Sequence, residues 1–191
     1  PNPDVKIYYR PGTELTVNNL LQAMLIQSNN EAALAFALHH PEGEKGFVKA
    51  MNDKAVSLNL KNTHFQNPVG LDADDQYSTA FDLSLLGREV MKDEVIRAIV
   101  RQPRSLVTDL TGSSALYVST TNSLLYRDPT ITGIKTGTTG GAGEVLISQV
   151  DRFGHPIMIV VMGSIDRESD TLKIIDWIYQ NYRWQKYDEA G

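Results

Sequence analysis

The strongest constraint on the fold of this chain comes from residues 131–143, which read as a β-strand bearing one cation and ending in a glycine-rich turn. Their sequence is ITGIKTGTTGGAG, and an apolar run follows at 145–150. Alternation of apolar and polar residues, then a turn, then a second apolar run predicts a β-hairpin. We therefore expect Lys135, Thr136 and Gly137 on an exposed strand edge that can receive a ligand.

The chemistry of this tripeptide suits a peptide that ends in a free carboxylate. Lys135 supplies positive charge and Thr136 a hydroxyl, while Gly137 has no Cβ and lets another backbone lie beside the strand. Lysines also protect ordinary edge strands from unwanted pairing. The sequence K-T-G alone therefore does not identify a function.

The first part of the chain reads as helical. Thr16 is a candidate N-cap, and apolar residues at helical spacing follow until the polar stretch Ser28-Asn29-Asn30 ends the helix. Further helices are expected at about 31–38, 44–58, 79–91, 93–101 and 170–182. Residues 1–14 read as an extended arm, and strand character occurs near 115–120.

The predicted order of elements is helices, then three antiparallel strands, then a covering helix, which indicates an α+β fold. We expect one domain of residues 1–191, mainly helical at about 15–130, with strands and the terminal helix at about 131–185. A sheet of three strands is narrow, so we expect further strands to come from sequence outside this chain.

Composition excludes several classes of function. The net charge is −5 and no basic cluster interleaves with aromatic residues, which argues against a nucleic-acid partner. The chain has no cysteine, which rules out disulfides, thiolate catalysis and zinc–thiolate sites. Its histidines show no spacing typical of metal ligands, and Asp72, Asp74 and Asp75 read as loop charges. We expect neither a metal nor another cofactor.

Two short motifs carry a possible catalytic function. Ser28-Asn29-Asn30 fits the pattern S-x-N, and Lys135-Thr136-Gly137 is K-T-G. Ser57-Leu58-Asn59 also fits S-x-N, but Ser57 falls inside a predicted helix and reads as a surface residue. Ser28 differs because it lies at the break between two apolar helices, upstream of the K-T-G strand.

The chain resembles low-molecular-mass penicillin-binding proteins of the D-alanyl-D-alanine carboxypeptidase and DD-endopeptidase type over nearly its whole length. Beyond the two motifs, the resemblance rests on stretches at 15–25, 28–33, 47–52, 61–65, 67–71, 77–83, 121–125 and 139–143. It implies the penicillin-binding protein/serine β-lactamase-like transpeptidase fold, of which this chain would be the later portion. A β-lactamase is disfavoured because no residue reads as a dedicated deacylating glutamate.

The family's acylating serine belongs to an S-x-x-K motif, which this sequence lacks. No serine is followed three positions later by lysine: Ser28 has Glu31 there, and Ser164 has Arg167. The resemblance implies that the motif lies in a segment before Pro1, together with the first strands of the sheet. We therefore expect this fragment alone to be inactive.

The resemblance also implies roles for individual residues. Ser28 would relay a proton to the leaving amine, and Asn30 would hydrogen-bond the substrate amide and the upstream lysine. Lys135 would raise the local potential, Thr136 would take the terminal carboxylate, and the backbone N–H of Thr138 would be one oxyanion donor. Gly137 completes the substrate-binding set.

The implied ligands are peptidoglycan peptides ending in D-Ala-D-Ala and β-lactam antibiotics. The implied reaction is trimming of stem peptides through an acyl-enzyme. Two alternatives stay open: a DD-endopeptidase that cleaves peptidoglycan cross-links, and a binding module without catalysis. The implied location is the periplasm or another extracytoplasmic compartment, with or without attachment to the membrane.

Overall fold

The computed structural model describes residue 10 and residues 12–185, and within them the predicted long helices, three-stranded meander and covering helix are confirmed, whereas the short elements between residues 104 and 127 were mostly not predicted. The elements are α1 (Val17–Gln27), α2 (Asn30–His39), α3 (Gly43–Ser57), α4 (Ala80–Val90), α5 (Glu94–Val100), β1 (Arg104–Thr108), β2 (Ala115–Ser119), α6 (Leu124–Arg127), β3 (Ile131–Thr139), β4 (Gly143–Arg152), β5 (His155–Ser164) and α7 (Arg167–Asn181). The extended arm predicted at residues 1–14 falls largely outside the described residues.

The first helix has the ends that its sequence predicts. The Thr16 side chain accepts a hydrogen bond from the Asn19 backbone N–H at 3.1 Å, which caps the N-terminus of α1. At the other end Ser28 adopts the left-handed conformation, with φ 58° and ψ 42°. The chain therefore turns sharply between α1 and α2 at the serine of the S-x-N motif.

The described strands form two antiparallel sheets. The order β3-β4-β5 confirms the predicted three-stranded meander, and β3 pairs with β4 so that Lys135 lies opposite Ile147. The two-stranded sheet β1-β2 was only partly predicted. In it Val107 and Val118 are fully buried while their neighbours are exposed or half-buried, so the apolar alternation is too weak to mark two strands.

Among the described residues, three apolar clusters hold the parts together. One lies between the larger sheet and α7 and includes Leu146, Val150 and Ile175, which confirms that the terminal helix covers the sheet. A second lies between the early helices and β1-β2. The third joins Met91, Val100 and Ile134, and thereby fixes β3 against the helical part of the chain. The K-T-G strand thus lies at the junction of helices and sheet.

A long loop between α3 and α4 is fixed by hydrogen bonds. Asp82, which is 2% exposed, accepts from the Asn62 backbone N–H at 2.7 Å and from the Thr63 hydroxyl at 2.8 Å. Further along, the side-chain amide oxygen of Asn67 (Oδ1) accepts from three successive backbone N–H groups at 69–71. The loop therefore holds a defined path toward the β3–β4 turn.

Candidate functional site

The two sequence motifs meet in space. Lys135 lies on β3, and its ammonium donates hydrogen bonds to the Ser28 hydroxyl and, at 3.0 Å, to the Thr136 carbonyl oxygen. Ser28 is itself the left-handed residue that follows α1. Its conformation turns the chain back before α2 begins and brings the hydroxyl to Lys135. A left-handed conformation costs a non-glycine residue about 1 kcal/mol, and such residues concentrate at functional sites. The spatial convergence that the motifs require is therefore present.

The lysine is electrostatically unusual. Burial, followed by the positive charge of Arg167, lowers the pKa of Lys135 from 10.5 to about 8. Burial acts because a charged group loses hydration, and Arg167 acts by repulsion between like charges. An amine with this pKa exists in both protonation states near neutral pH, which suits a group that passes protons.

Arg167 is a functional candidate that the sequence reasoning missed. Its guanidinium donates to the Gly137 carbonyl oxygen at 3.0 Å and to the Thr138 hydroxyl at 2.6 Å. Its backbone N–H donates to the Glu144 carboxylate at 3.0 Å. The signal in the sequence was Asp166, which caps α7 through the Ser169 N–H and so sets Arg167 at the first helical position, just after β5.

A line of hydroxyls connects the two motifs. The Thr121 hydroxyl lies 3.4 Å from the Ser28 hydroxyl and 2.5 Å from the Thr136 hydroxyl. Thr121 follows β2, and its backbone N–H donates to the Ile26 carbonyl oxygen in the last turn of α1. Sequence reasoning counted Thr121 only as part of the family resemblance and gave it no role.

The remaining predicted site residues take different positions. Asn30 is the first residue of α2 and is exposed. Gly137 and Thr138 are exposed on β3, and a Cβ at Gly137 would meet only the Val145 Cβ within 4 Å, at an ordinary 3.8 Å. Packing within the described residues does not require a glycine at 137. Ser57, as predicted, is an exposed residue near the end of α3.

The end of the K-T-G strand is held by the long loop. Asp72 accepts a hydrogen bond from the Gly141 backbone N–H at 2.9 Å, and the Thr139 hydroxyl accepts from the Ala142 N–H at 3.0 Å. Hydrogen bonds from the Thr139 side chain and then from the Gly141 N–H lower the pKa of Asp72. Asp72 is an exposed loop charge, as predicted, and its carboxylate in addition links the long loop to the turn after β3.

Taken together, Lys135 and Arg167 bring positive charge to one end of β3, where Thr136 and Thr138 present hydroxyls. Two cations beside exposed donors on a strand edge can bind an anionic group, above all a carboxylate. Within residues 12–185 and residue 10, no three side chains of His, Asp or Glu cluster as metal ligands do. No helix of the described chain is both long and apolar enough to cross a bilayer.

Comparison with known proteins gives the same assignment at the level of sequence and of structure. The profile of the D-alanyl-D-alanine carboxypeptidase family matches residues 2–166. D-alanyl-D-alanine carboxypeptidase DacF of Bacillus subtilis is 33% identical over 180 residues, covering 93% of this chain and 46% of the relative. The D-alanyl-D-alanine endopeptidase of Escherichia coli is 34% identical, covering 92% of this chain and 59% of the relative.

Among solved structures, a mutant DD-transpeptidase from Streptomyces superposes with a TM-score of 0.85 at 30% identity, covering 91% of this chain and 72% of that one. The chain spans about half the length of the carboxypeptidases that it matches. The matched region contains the S-x-N and K-T-G motifs that meet in the structure. The chain therefore belongs to the D-alanyl-D-alanine carboxypeptidase family and has the α+β fold of the penicillin-binding DD-peptidases.

Proposed function

We propose that this chain is the later part of the catalytic domain of a serine-type D-Ala-D-Ala carboxypeptidase that trims peptidoglycan stem peptides. The observation that carries the proposal is the hydrogen bond from Lys135 to Ser28, because it joins the two motifs at one site. The Bacillus subtilis carboxypeptidase, one third identical over nearly the whole chain, supports the reaction type. The acting protein would be extracytoplasmic, where peptidoglycan lies.

The terminal carboxylate of the substrate would bind at the end of β3. Arg167 already donates to the Thr138 hydroxyl and the Gly137 carbonyl, and a carboxylate could replace these neutral acceptors with stronger bonds in which both partners are charged. Thr136 supplies a further hydroxyl on the same strand. The absence of a Cβ at Gly137 leaves room for the substrate backbone beside the strand.

The acylating serine would come from polypeptide outside these 191 residues, since the sequence contains no S-x-x-K. Its hydroxyl would attack the penultimate D-alanine carbonyl, the peptide bond would break, and D-alanine would leave with a proton delivered through Ser28. Water would then hydrolyse the acyl-enzyme and regenerate the serine. A β-lactam would acylate the same serine. Asn30 would hold the substrate amide, and the Thr138 N–H would help bind the oxyanion.

The proposal is tested by assaying D-alanine release from an N-acetylated peptide ending in D-Ala-D-Ala, with the intact protein that contains this chain. We expect release, and we expect Lys135→Ala to lower it by about two orders of magnitude or more. Lys61→Ala, a change at an exposed lysine in the long loop, is the matched control and should retain activity.

Labelled penicillin separates the remaining possibilities. We expect one covalent adduct per intact protein by mass measurement, and none on the 191-residue chain alone. A stoichiometric adduct on the 191-residue chain would disprove an external nucleophile. A folded intact protein that binds the peptide without releasing D-alanine or forming an adduct would instead be a binding module.

A DD-endopeptidase is the second candidate. The Escherichia coli endopeptidase is 34% identical to this chain, as similar as the carboxypeptidase relatives are. Both reactions break a bond after the same D-alanine and use the same two motifs. Purified cross-linked muropeptides distinguish them, because an endopeptidase converts dimers to monomers whereas a carboxypeptidase releases only free D-alanine.

A further inference from the structure

The Thr121 hydroxyl lies between two groups of the proposed site without belonging to either motif. It is 2.5 Å from the Thr136 hydroxyl on β3 and 3.4 Å from the Ser28 hydroxyl at the helix break. The Thr121 backbone is held in place, because its N–H donates to the Ile26 carbonyl oxygen at 3.3 Å. The adjoining Asn122 is 3% exposed, and its side-chain oxygen accepts from the Leu124 N–H. The backbone that carries the Thr121 hydroxyl is therefore held in place.

The protonated Lys135 determines which hydroxyl donates and which accepts along this line of hydrogen bonds. A protonated Lys135 can only donate, so the Ser28 oxygen accepts from it. The Ser28 proton is then available to the Thr121 oxygen, and the Thr121 proton to the Thr136 oxygen. Thr136 accepts and keeps its own proton free for a ligand. A carboxylate, which accepts hydrogen bonds only, is the ligand that this arrangement favours.

We propose that Thr121 is a positioning residue, which orients the Thr136 hydroxyl so that its proton points to the terminal carboxylate of the substrate. Without the Thr121 hydroxyl, Thr136 loses this hydrogen bond and its side chain is free to turn to another rotamer. The inference rests on the proposed function for the identity of the ligand. The orientation of Thr136 itself depends only on contacts within this chain.

The kinetic test uses three variants of the intact protein. Thr121→Val removes the hydroxyl and keeps the branched shape, Thr121→Ser restores a hydroxyl, and Thr132→Val makes the same change elsewhere on β3, where the hydroxyl contacts a backbone carbonyl. We expect Thr121→Val to raise KM for the D-Ala-D-Ala peptide about tenfold, as for loss of one charge-assisted hydrogen bond, with kcat within about twofold. Thr121→Ser should restore most of the affinity, and Thr132→Val should match the parent.

Two results separate this inference from the proposed function. An unchanged KM in Thr121→Val, with an active parent, overturns the role of Thr121 and leaves the carboxypeptidase proposal standing. A parent that releases no D-alanine overturns the proposed function, and the role of Thr121 is then decided by crystal structures of the parent and of Thr121→Val. We expect Thr136 to occupy one rotamer in the parent and to leave it in the variant. A Thr136 rotamer that is the same in both overturns the inference.

Discussion

The guanidinium of Arg167 lies 2.6 Å from the hydroxyl of Thr138, and this contact ties the first turn of α7 to the far end of the K-T-G strand. The same nitrogen donates to the Gly137 carbonyl oxygen, so the side chain lies along the strand. Arginine presents donors in a planar fork that matches a carboxylate. The helix that covers the sheet thus also supplies a cation to the site.

Replacing Arg167 should weaken recognition of the substrate's free carboxylate. We expect Arg167→Gln to raise KM for a D-Ala-D-Ala peptide about 10- to 100-fold, because a charge-assisted hydrogen bond contributes about 1.5–3 kcal/mol. Arg167→Lys should recover only part of the loss, since lysine keeps the charge but not the fork. Arg88→Gln, an exposed position on α4, is the control. Full affinity in Arg167→Gln would exclude a role in binding.

Lys135 should make the stability of the protein depend on pH in an unusual direction. Its pKa is about 8 in the folded state against 10.5 ordinarily, so between these values the unfolded chain holds a proton that the folded chain has released. The contribution of Lys135 to the free energy of unfolding therefore rises as pH increases from about 8 to 10.5. Below pH 8 the buried charge lowers the stability of the folded protein.

The measurement compares Lys135→Met with the parent by chemical denaturation at several pH values. We expect the variant to gain on the order of 1 kcal/mol relative to the parent at pH 7, and this gain to shrink toward pH 10.5. Lys61→Met should show no such trend. A difference between Lys135→Met and the parent that is constant across pH would contradict the lowered pKa.

Two variants of Ser28 separate the energetic cost of its left-handed backbone from the role of its hydroxyl. Glycine adopts the left-handed conformation without penalty, so Ser28→Gly should be about 1 kcal/mol more stable than Ser28→Ala. Both variants lack the hydroxyl, and both should lose about 100-fold or more in kcat. Ser57→Ala is the control at the other S-x-N sequence. An active Ser28→Gly would show that only the backbone turn matters.

Local sequence signals were sufficient for the long helices, for the β3-β4-β5 meander and for the two motifs, but not for α6 or for most of β1-β2. The cap at Thr16, the polar break at Ser28 and the turn after Thr139 each act over a few residues, and the structure confirms the elements that they bound. The α+β order followed from these elements alone. The resemblance then supplied the pairing of Ser28 with Lys135, which neighbouring residues do not determine.

The residues that sequence reasoning missed are those positioned by long-range packing. Arg167 reaches Thr138 because β3, β4 and β5 are antiparallel neighbours, which places the start of α7 beside the end of β3. Thr121 reaches Thr136 because β2 ends next to α1. Neither position lies in a motif with a known chemical meaning, so neither could be identified before the contacts were visible.

Asp72 should hold the turn that follows the K-T-G strand in one conformation. Hydrogen bonds from the Thr139 side chain and the Gly141 N–H lower the pKa of Asp72. The stabilisation that its carboxylate gives to the turn is therefore present above about pH 4 and is lost as the carboxylate becomes protonated. We expect Asp72→Ala to increase amide exchange at residues 139–142 severalfold at pH 6, measured by NMR, because the Gly141 N–H loses its acceptor. Asp74→Ala, an exposed change in the same loop, should leave these amides as in the parent.

In the parent, exchange at Gly141, corrected for its intrinsic pH dependence, should rise as pH falls below about 4. Equal protection of Gly141 in the parent and in Asp72→Ala would mean that the turn orders itself without the loop.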